Sequence, residues 1–304
     1  MLESFKIEKS NQIQPLSVIE TKVLNLIEKR FGEHSGDSEL AFHNVEHTKS
    51  VMRRTETILR AIKKVTLYRV TEKDIELARL AAAFHDTVQE SKEQNKDGRL
   101  IRQRATGINE EKSADEAISF LEQEMKYSEE GEFFEKDLAV IEDAIRGTVP
   151  KFSTEKNTII QPNVTEQSML ISRAVALADL GTAGMDGAEA FLSEGDALFR
   201  EENLDITRAL KNQELLADEL KEHYRVRMIE WTKGQPVFAM GRRDLLDEEL
   251  RGMPPGADVA IKKLFNKFDE SISTSEKRAE ERESMSFDEL ALDMGFFEKP
   301  PMNH

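Results

Sequence analysis

The sequence predicts an all-α protein. Apolar residues recur at helical intervals of three and four along most of the chain. Helix-start signals stand ahead of several of these runs. Strand signals are nearly absent, because no alternating apolar run is bounded by hairpin turns. No internal repeat interrupts the pattern.

The elements follow in order. Residues 1–15 read as an N-terminal extension, 16–265 as one helical domain and 266–304 as an acidic tail. In LSVIETKVLNLIEKRF, residues 16–31, Ile19, Val23, Ile27 and Phe31 recur every four positions and make one apolar stripe. A second helix is expected over 38–64. TEKDIELARLAAAFHD opens with Thr71 and Asp74 in a capping-box pattern. Its stretch 80–84 is apolar on all sides, which marks a buried central helix. SADEAISFLEQEM repeats the capping logic with Ser113 and Glu116. FFEKDLAVIEDAIRGT and EQSMLISRAVALADLG are two more helices; the second is again apolar all round and ends at Gly181, a stop signal. Further helices are expected at about 187–202, 206–232 and 242–250. Two polar stretches, 91–110 and 150–163, read as long loops, which in a compact domain are often functional. Over 269–293 nine acids face three bases with little periodicity, giving a solvated tail or a weakly docked helix. Within it FDELALDMGFF is a candidate for a short docking segment.

A formal net charge of −16 argues against nonspecific binding to a nucleic-acid polymer or an anionic membrane. It leaves room for an anionic small molecule if the pocket holds a metal or local arginines. The chain has no cysteine, which excludes disulfides and thiolate metal sites. MLESFKIEKSNQ lacks the apolar core of a secretory signal, and no apolar run reaches the roughly 18 residues of a membrane span. A soluble, cytoplasmic protein is expected.

The chemistry-bearing residues are histidines and buried acids. In AFHNVEHTKSV, residues 41–51, His43 and His47 stand four apart, so on a helix they face the same way. The two most apolar helices each deliver an acid: AAFHD carries His85 and Asp86, and ALADLG carries Asp179. An aspartate ending an apolar helix is costly to bury unless a partner neutralises it. Two such aspartates with histidines suit a divalent cation: manganese, iron, zinc, cobalt or magnesium. Each feature has a plainer reading taken alone. The histidines could be a surface pair, Asp179 a helix cap, and HD a chance dipeptide. Their combination favours a metal site.

The order H…HD…D on a helical background resembles the HD-domain superfamily of metal-dependent phosphohydrolases. FHNVEH is similar to the YHNxxH signature of its members, among them class I cyclic nucleotide phosphodiesterases, and NEEKSA, residues 109–114, is similar to an NExxSA stretch that follows HD in many bacterial members. The likeness spans roughly residues 40–240. It implies an HD-type helical bundle with His47, His85, Asp86 and Asp179 as metal ligands, Asp86 bridging if two ions bind. It implies that His43 sits beside the metal and protonates the leaving oxygen. Phe42 stands where the family often has tyrosine, which removes a hydroxyl but no ligand. The absence of further histidines near the site argues against the di-iron oxygenase branch. The implied activity is hydrolysis of a phosphate ester, a phosphodiester or phosphomonoester, with a nucleotide-like substrate first. A regulatory module that binds a nucleotide without turnover is the alternative.

Gln235 and Phe238, in WTKGQPVFAMGR, have the QxxF spacing with which the cyclic nucleotide phosphodiesterases hold a purine. A helix-end turn with Phe238 in the core explains the same residues and is slightly favoured. Arg99, Arg102 and Arg104 are either a phosphate-contacting lid or counterions to nearby acids. Arg242 and Arg243 could meet phosphate or, as is commoner, lie solvated. Glu90 and Glu110 could orient ligand histidines or lie on the surface.

Overall fold

A computed structural model describes residues 16–67, 69–125 and 135–297. The extension expected at 1–15 lies outside them, as do Phe133, Phe134 and residues 298–304. The described chain is mostly helical, as its periodicity predicts.

Helix α1 (Leu16–Phe31) lays Ile19, Val23, Ile27 and Phe31 into the core. A short 3-10 turn at Gly36–Ser38 leads to α2 (Val45–Val65). The second helix therefore starts later than the expected position 38. Asn44 stops it there: its Oδ1 accepts from the backbone N–H groups of Glu46 and His47 at 3.0 and 3.2 Å. Helix α3 (Glu72–Phe84) begins with the Thr71–Asp74 capping box complete and is buried from Ala78 to Phe84 apart from half-buried Arg79.

The stretch expected as a first long loop is a hairpin, β1 (Ser91–Lys96) and β2 (Arg99–Arg104). Asp97 and Gly98 both take positive φ, 54° and 80°, as the tight turns that suit strand twist require. Charged, solvated strands hide from an apolar-alternation test, but the Asp-Gly pair is a turn signal. Helix α4 (Ile108–Met125) starts five residues before Ser113, so the expected Ser113–Glu116 cap does not form. Gly107, at φ 84°, donates its N–H to Glu110 Oε2 and opens the helix instead. Ser113 Oγ accepts from the Val88 N–H at 3.1 Å. Helix α5 (Glu135–Arg146) follows. The second expected loop holds a short hairpin, β3 (Lys151–Ser153) and β4 (Thr158–Ile160), turned by Asn157 at φ 50°.

Helix α6 (Leu170–Asp179) is buried from Ile171 to Ala178. With α2 and α3 it forms the centre of the main core. Gly181 is not the left-handed cap expected of it; at φ −86° it leads into α7 (Thr182–Met185). A Cβ there would stand 2.8 Å from the Leu177 carbonyl, so the position needs glycine for closeness. Helices α8 (Ala188–Glu202) and α9 (Leu204–Lys211) precede α10 (Asp218–Glu249). The expected break between 232 and 242 is absent, because α10 runs through Pro236. The proline gives up one helix bond, and packing along α12 holds the helix in one piece.

Helix α11 (Ala257–Leu264) is followed by α12 (Phe268–Glu283) and α13 (Phe287–Asp293). The acidic stretch is therefore no solvated tail. Phe287, Leu290, Ala291 and Met294 close a second apolar cluster with Phe199, Ile206, Tyr224 and Met228. Among the described residues no helix is long and apolar enough to cross a membrane.

Candidate metal centre

Four side chains converge where the most buried helices end. His47 lies in the first turn of α2, placed by the Asn44 cap. His85 and Asp86 leave the C-terminal end of α3, and Asp179 is the last residue of α6. The fully buried Arg54 holds the Ala178 carbonyl through Nε at 2.7 Å, which fixes the chain beside Asp179.

Each aspartate has one oxygen tied and one turned inward. Gln89 donates to Asp86 Oδ1 at 2.7 Å, and Gln161 to Asp179 Oδ2 at 3.1 Å. Asp86 Oδ2 then stands 3.1 Å from His85 Nε2 and 3.5 Å from His47 Nε2. Asp179 Oδ1 stands 3.5 Å from each of the same two nitrogens. Ligand atoms about 2.1 Å from a cation lie roughly 3.0–3.4 Å apart in octahedral or tetrahedral arrangements, so the spacing fits one ion. His85 adds a sharper observation. Its Nδ1–H donates to the Ala82 carbonyl at 2.7 Å, which leaves Nε2 as the nitrogen open to a proton or a cation. That Nε2 is buried and makes no hydrogen bond among the described residues, despite the two carboxylates beside it. Nε2 and the inward carboxylate oxygens stand close enough together to share one divalent cation. His47, His85 and Asp179 also satisfy the spacing of a metal-binding group.

The electrostatics agree. Burial opposes charge on both imidazoles, but Asp86 and Asp179 outweigh it and lift His47 and His85 above the ordinary histidine range. Burial likewise pushes the two carboxyls up, and the imidazoles more than reverse this, holding both below the usual carboxylate range. The group has a strong demand for positive charge, which a proton or a metal meets.

His43 does not share a helix face with His47, since it precedes the cap. Its ring centroid lies 6.0 Å from that of His47, and Phe42 packs against both rings. Its partner is Glu201, 158 residues away at the end of α8. His43 Nδ1 is 2.5 Å from Glu201 Oε1, while Glu201 Oε2 accepts the backbone N–H groups of Phe42 and His43 at 2.9 and 3.0 Å. Burial would raise the Glu201 carboxyl; His43 and these N–H groups pull it down to about 2. Glu201 was missed in the sequence. Its one local cue is an acid pair at a helix C-terminus, where the dipole disfavours negative charge.

These residues line a cavity of about 1040 Å³, whose wall also carries Phe152, Phe191, Trp231, Gln235 and Phe238. Ligand pockets commonly measure about 300–1,000 Å³, so the cavity is of small-molecule size. Gln235 packs over Gly195, where a Cβ would come within 2.5 Å of its Oε1. Phe238 is half-buried, with its ring stacked on Phe191 at 6.0 Å and 13°. It sits against the core and on the cavity wall at once. Arg102, Arg104 and Glu110 line the cavity as well. Arg242 and Arg243 do not: Arg242 is buried against the Ile159 carbonyl and Glu249, and Arg243 pairs with Asp244 and Asp269. Glu90 is bound by Lys112 at the surface, and Glu110 faces Arg104, so neither orients a ligand histidine.

Glu202, also on the wall, is lifted to about 7 by burial and by the Glu201 carboxylate, with Arg104 opposing. A carboxyl raised above its unfolded value of about 4.3 subtracts stability as pH climbs from that value to the folded one. Each tenfold in acidity is worth about 1.4 kcal/mol, which bounds the effect at about 4 kcal/mol. Glu202→Gln is expected to raise the melting temperature by about 4–8 °C at pH 8 and by less than half as much at pH 5. An equal shift at both values would assign the gain to something other than this charge.

No protein-family model, curated protein or solved structure matches the chain. Fold and site together define a helical protein with a buried two-histidine, two-aspartate cluster opening into a large cavity.

Proposed function

We propose that the chain is a metal-dependent phosphohydrolase of the HD-domain type, acting on a nucleotide-like phosphate ester. The observation that carries this reading is the partnerless Nε2 of His85, set among carboxylate oxygens that are themselves held by Gln89 and Gln161. His47, His85, Asp86 and Asp179 would hold a divalent ion. Such an ion supplies activated water at neutral pH and neutralises phosphoryl oxygens. His43 would act as the general acid. Glu201 accepts a hydrogen bond from Nδ1–H, which leaves Nε2 as the nitrogen that would give its proton to the leaving oxygen. Gln235 and Phe238 would receive the base: an amide that both donates and accepts and a ring that offers a stacking face. Their place on the cavity wall supports this, and so does the room the cavity offers.

The roles separate by experiment. His43→Ala is expected to keep the metal and to lose about 10²–10⁴-fold in rate on esters with alkoxide leaving groups. The loss should be far smaller for nitrophenyl esters, whose leaving group needs no proton. Equal losses on both substrates would remove His43 from this role, and loss of the metal would make it a ligand.

A further inference from the structure

We propose that Arg104, with Arg102 beside it on β2, binds the phosphoryl group of the substrate. The inference rests on the phosphohydrolase reading above and adds residues to it.

The three arginines of this stretch look alike in sequence, and the fold separates them. Arg99 is the first residue of β2, paired with Lys96 next to the turn, and is exposed. Arg102 and Arg104 stand two apart, so they share a strand face. Both are half-buried and both line the cavity that holds the His–Asp cluster.

Arg104 is held at one atom and open at others. Its Nε donates to Gln89 Oε1 at 3.0 Å, and the amide nitrogen of the same Gln89 donates to Asp86 Oδ1 at 2.7 Å. One glutamine thus sets the arginine's position relative to the cluster. Arg104 Nη2 lies 3.6 Å from Asp86 Oδ1 and 3.7 Å from Glu110 Oε1, beyond hydrogen-bond distance of either. It forms a loose ion pair with each and a hydrogen bond with neither. A divalent ion on the cluster would balance the two aspartates and leave this guanidinium facing whatever sits on the ion. A planar fork of donors there matches two oxygens of one phosphoryl group.

The hairpin is anchored for the task. Asn109 clasps its base, donating to the Glu90 carbonyl and accepting the Glu90 N–H at 3.0 and 2.9 Å. Glu93 on β1 pairs with Arg208 on α9, and Arg102 Nε donates to the Glu201 carbonyl at 3.2 Å. Arg102 is thereby tied to the residue that holds His43. The NEEKSA stretch gains a physical role: Asn109 and Ser113 hold the segment between His85 and the arginines, and Glu110 accepts the Gly107 N–H that follows them.

The competing role is a plain counterion for Asp86 and Glu110, and phosphate binding distinguishes the two. Inorganic phosphate is titrated calorimetrically into manganese-loaded wild type, Arg104→Gln, Arg104→Lys and Arg99→Gln, with manganese affinity and melting temperature measured on each. Arg104→Gln should weaken phosphate binding about 10–100-fold, raise KM for bis(p-nitrophenyl) phosphate by a similar factor and keep its manganese. Arg104→Lys, which keeps the charge but not the fork, should fall between it and wild type. Arg99→Gln should match wild type. Phosphate affinity unchanged in both Arg104 variants overturns the clamp while leaving the hydrolase reading standing. If Arg104→Gln loses manganese or fails to fold, Arg104→Lys decides by the same criterion. A manganese-loaded wild type that neither binds phosphate nor cleaves a phosphate ester overturns both readings together.

Discussion

Asp86→Ala is expected to purify without bound metal and without phosphoesterase activity. Its Oδ2 is the oxygen nearest His85 Nε2, at 3.1 Å, and also lies 3.5 Å from His47 Nε2, so it touches both imidazole ligands. Glu110 does not replace it, since it is turned toward Gly107 and Arg104. Truncation also frees the Gln89 amide that ties this carboxylate to Arg104. His85→Ala should have the same outcome through loss of the nitrogen whose tautomer Ala82 sets. Elemental analysis of both variants beside wild type checks this. Full metal content in either would remove that residue from the ligand set.

The second large effect concerns folding. Arg282→Ala should destabilise the protein by about 3–5 kcal/mol. Arg282 is 2% exposed and makes a bidentate pair with Asp196 at 2.8 and 2.5 Å. It also donates to Asp293 Oδ2 at 2.8 Å and to Thr232 Oγ1 at 3.0 Å. One side chain thus joins α12 to α8, α10 and α13. Removing it strands the Asp196 carboxylate, itself only 8% exposed, and that stranded charge is the main penalty. The double variant Arg282→Met, Asp196→Leu should therefore regain most of the loss, because an apolar pair of similar volume needs no partner. Urea unfolding of the two variants checks both statements. A loss within about 0.5 kcal/mol in Arg282→Ala, the range of ordinary surface changes, would return the acidic segment to the role of a loosely attached tail.

That segment shows where sequence reasoning reached its limit. Local patterns carried the helices whose signals are local: the Thr71 cap, the α1 stripe, and the two apolar helices that deliver Asp86 and Asp179. The candidate ligands come together because each sits at the end of a buried element, and burial is legible as uninterrupted apolarity. Pairings across long separations are not legible in this way. Nothing near His43 announces Glu201, and nothing near Arg282 announces Asp196, because the partners meet only after α8 has folded back. Composition left 269–293 open between a solvated tail and a docked helix, and the helix is the outcome: an acid-rich helix can still bury Phe268, Ser271, Ile272 and Ser275 on one side. The two hairpins were hidden by polar strands, although Asp97–Gly98 stood in plain view as a turn. The late start of α2 was also available in Asn44, a strong cap placed between the two histidines.

The account stands or falls on one reconstitution. Protein stripped with a chelator is titrated with manganese while bis(p-nitrophenyl) phosphate hydrolysis and bound metal are followed together. The expected result is no turnover in the stripped protein, then a rise that saturates at one or two ions per chain and is reversed by renewed chelation. Turnover that persists without metal would contradict the account. So would a protein that fills its site with manganese, iron, zinc, cobalt or magnesium in turn and cleaves no phosphate ester with any of them.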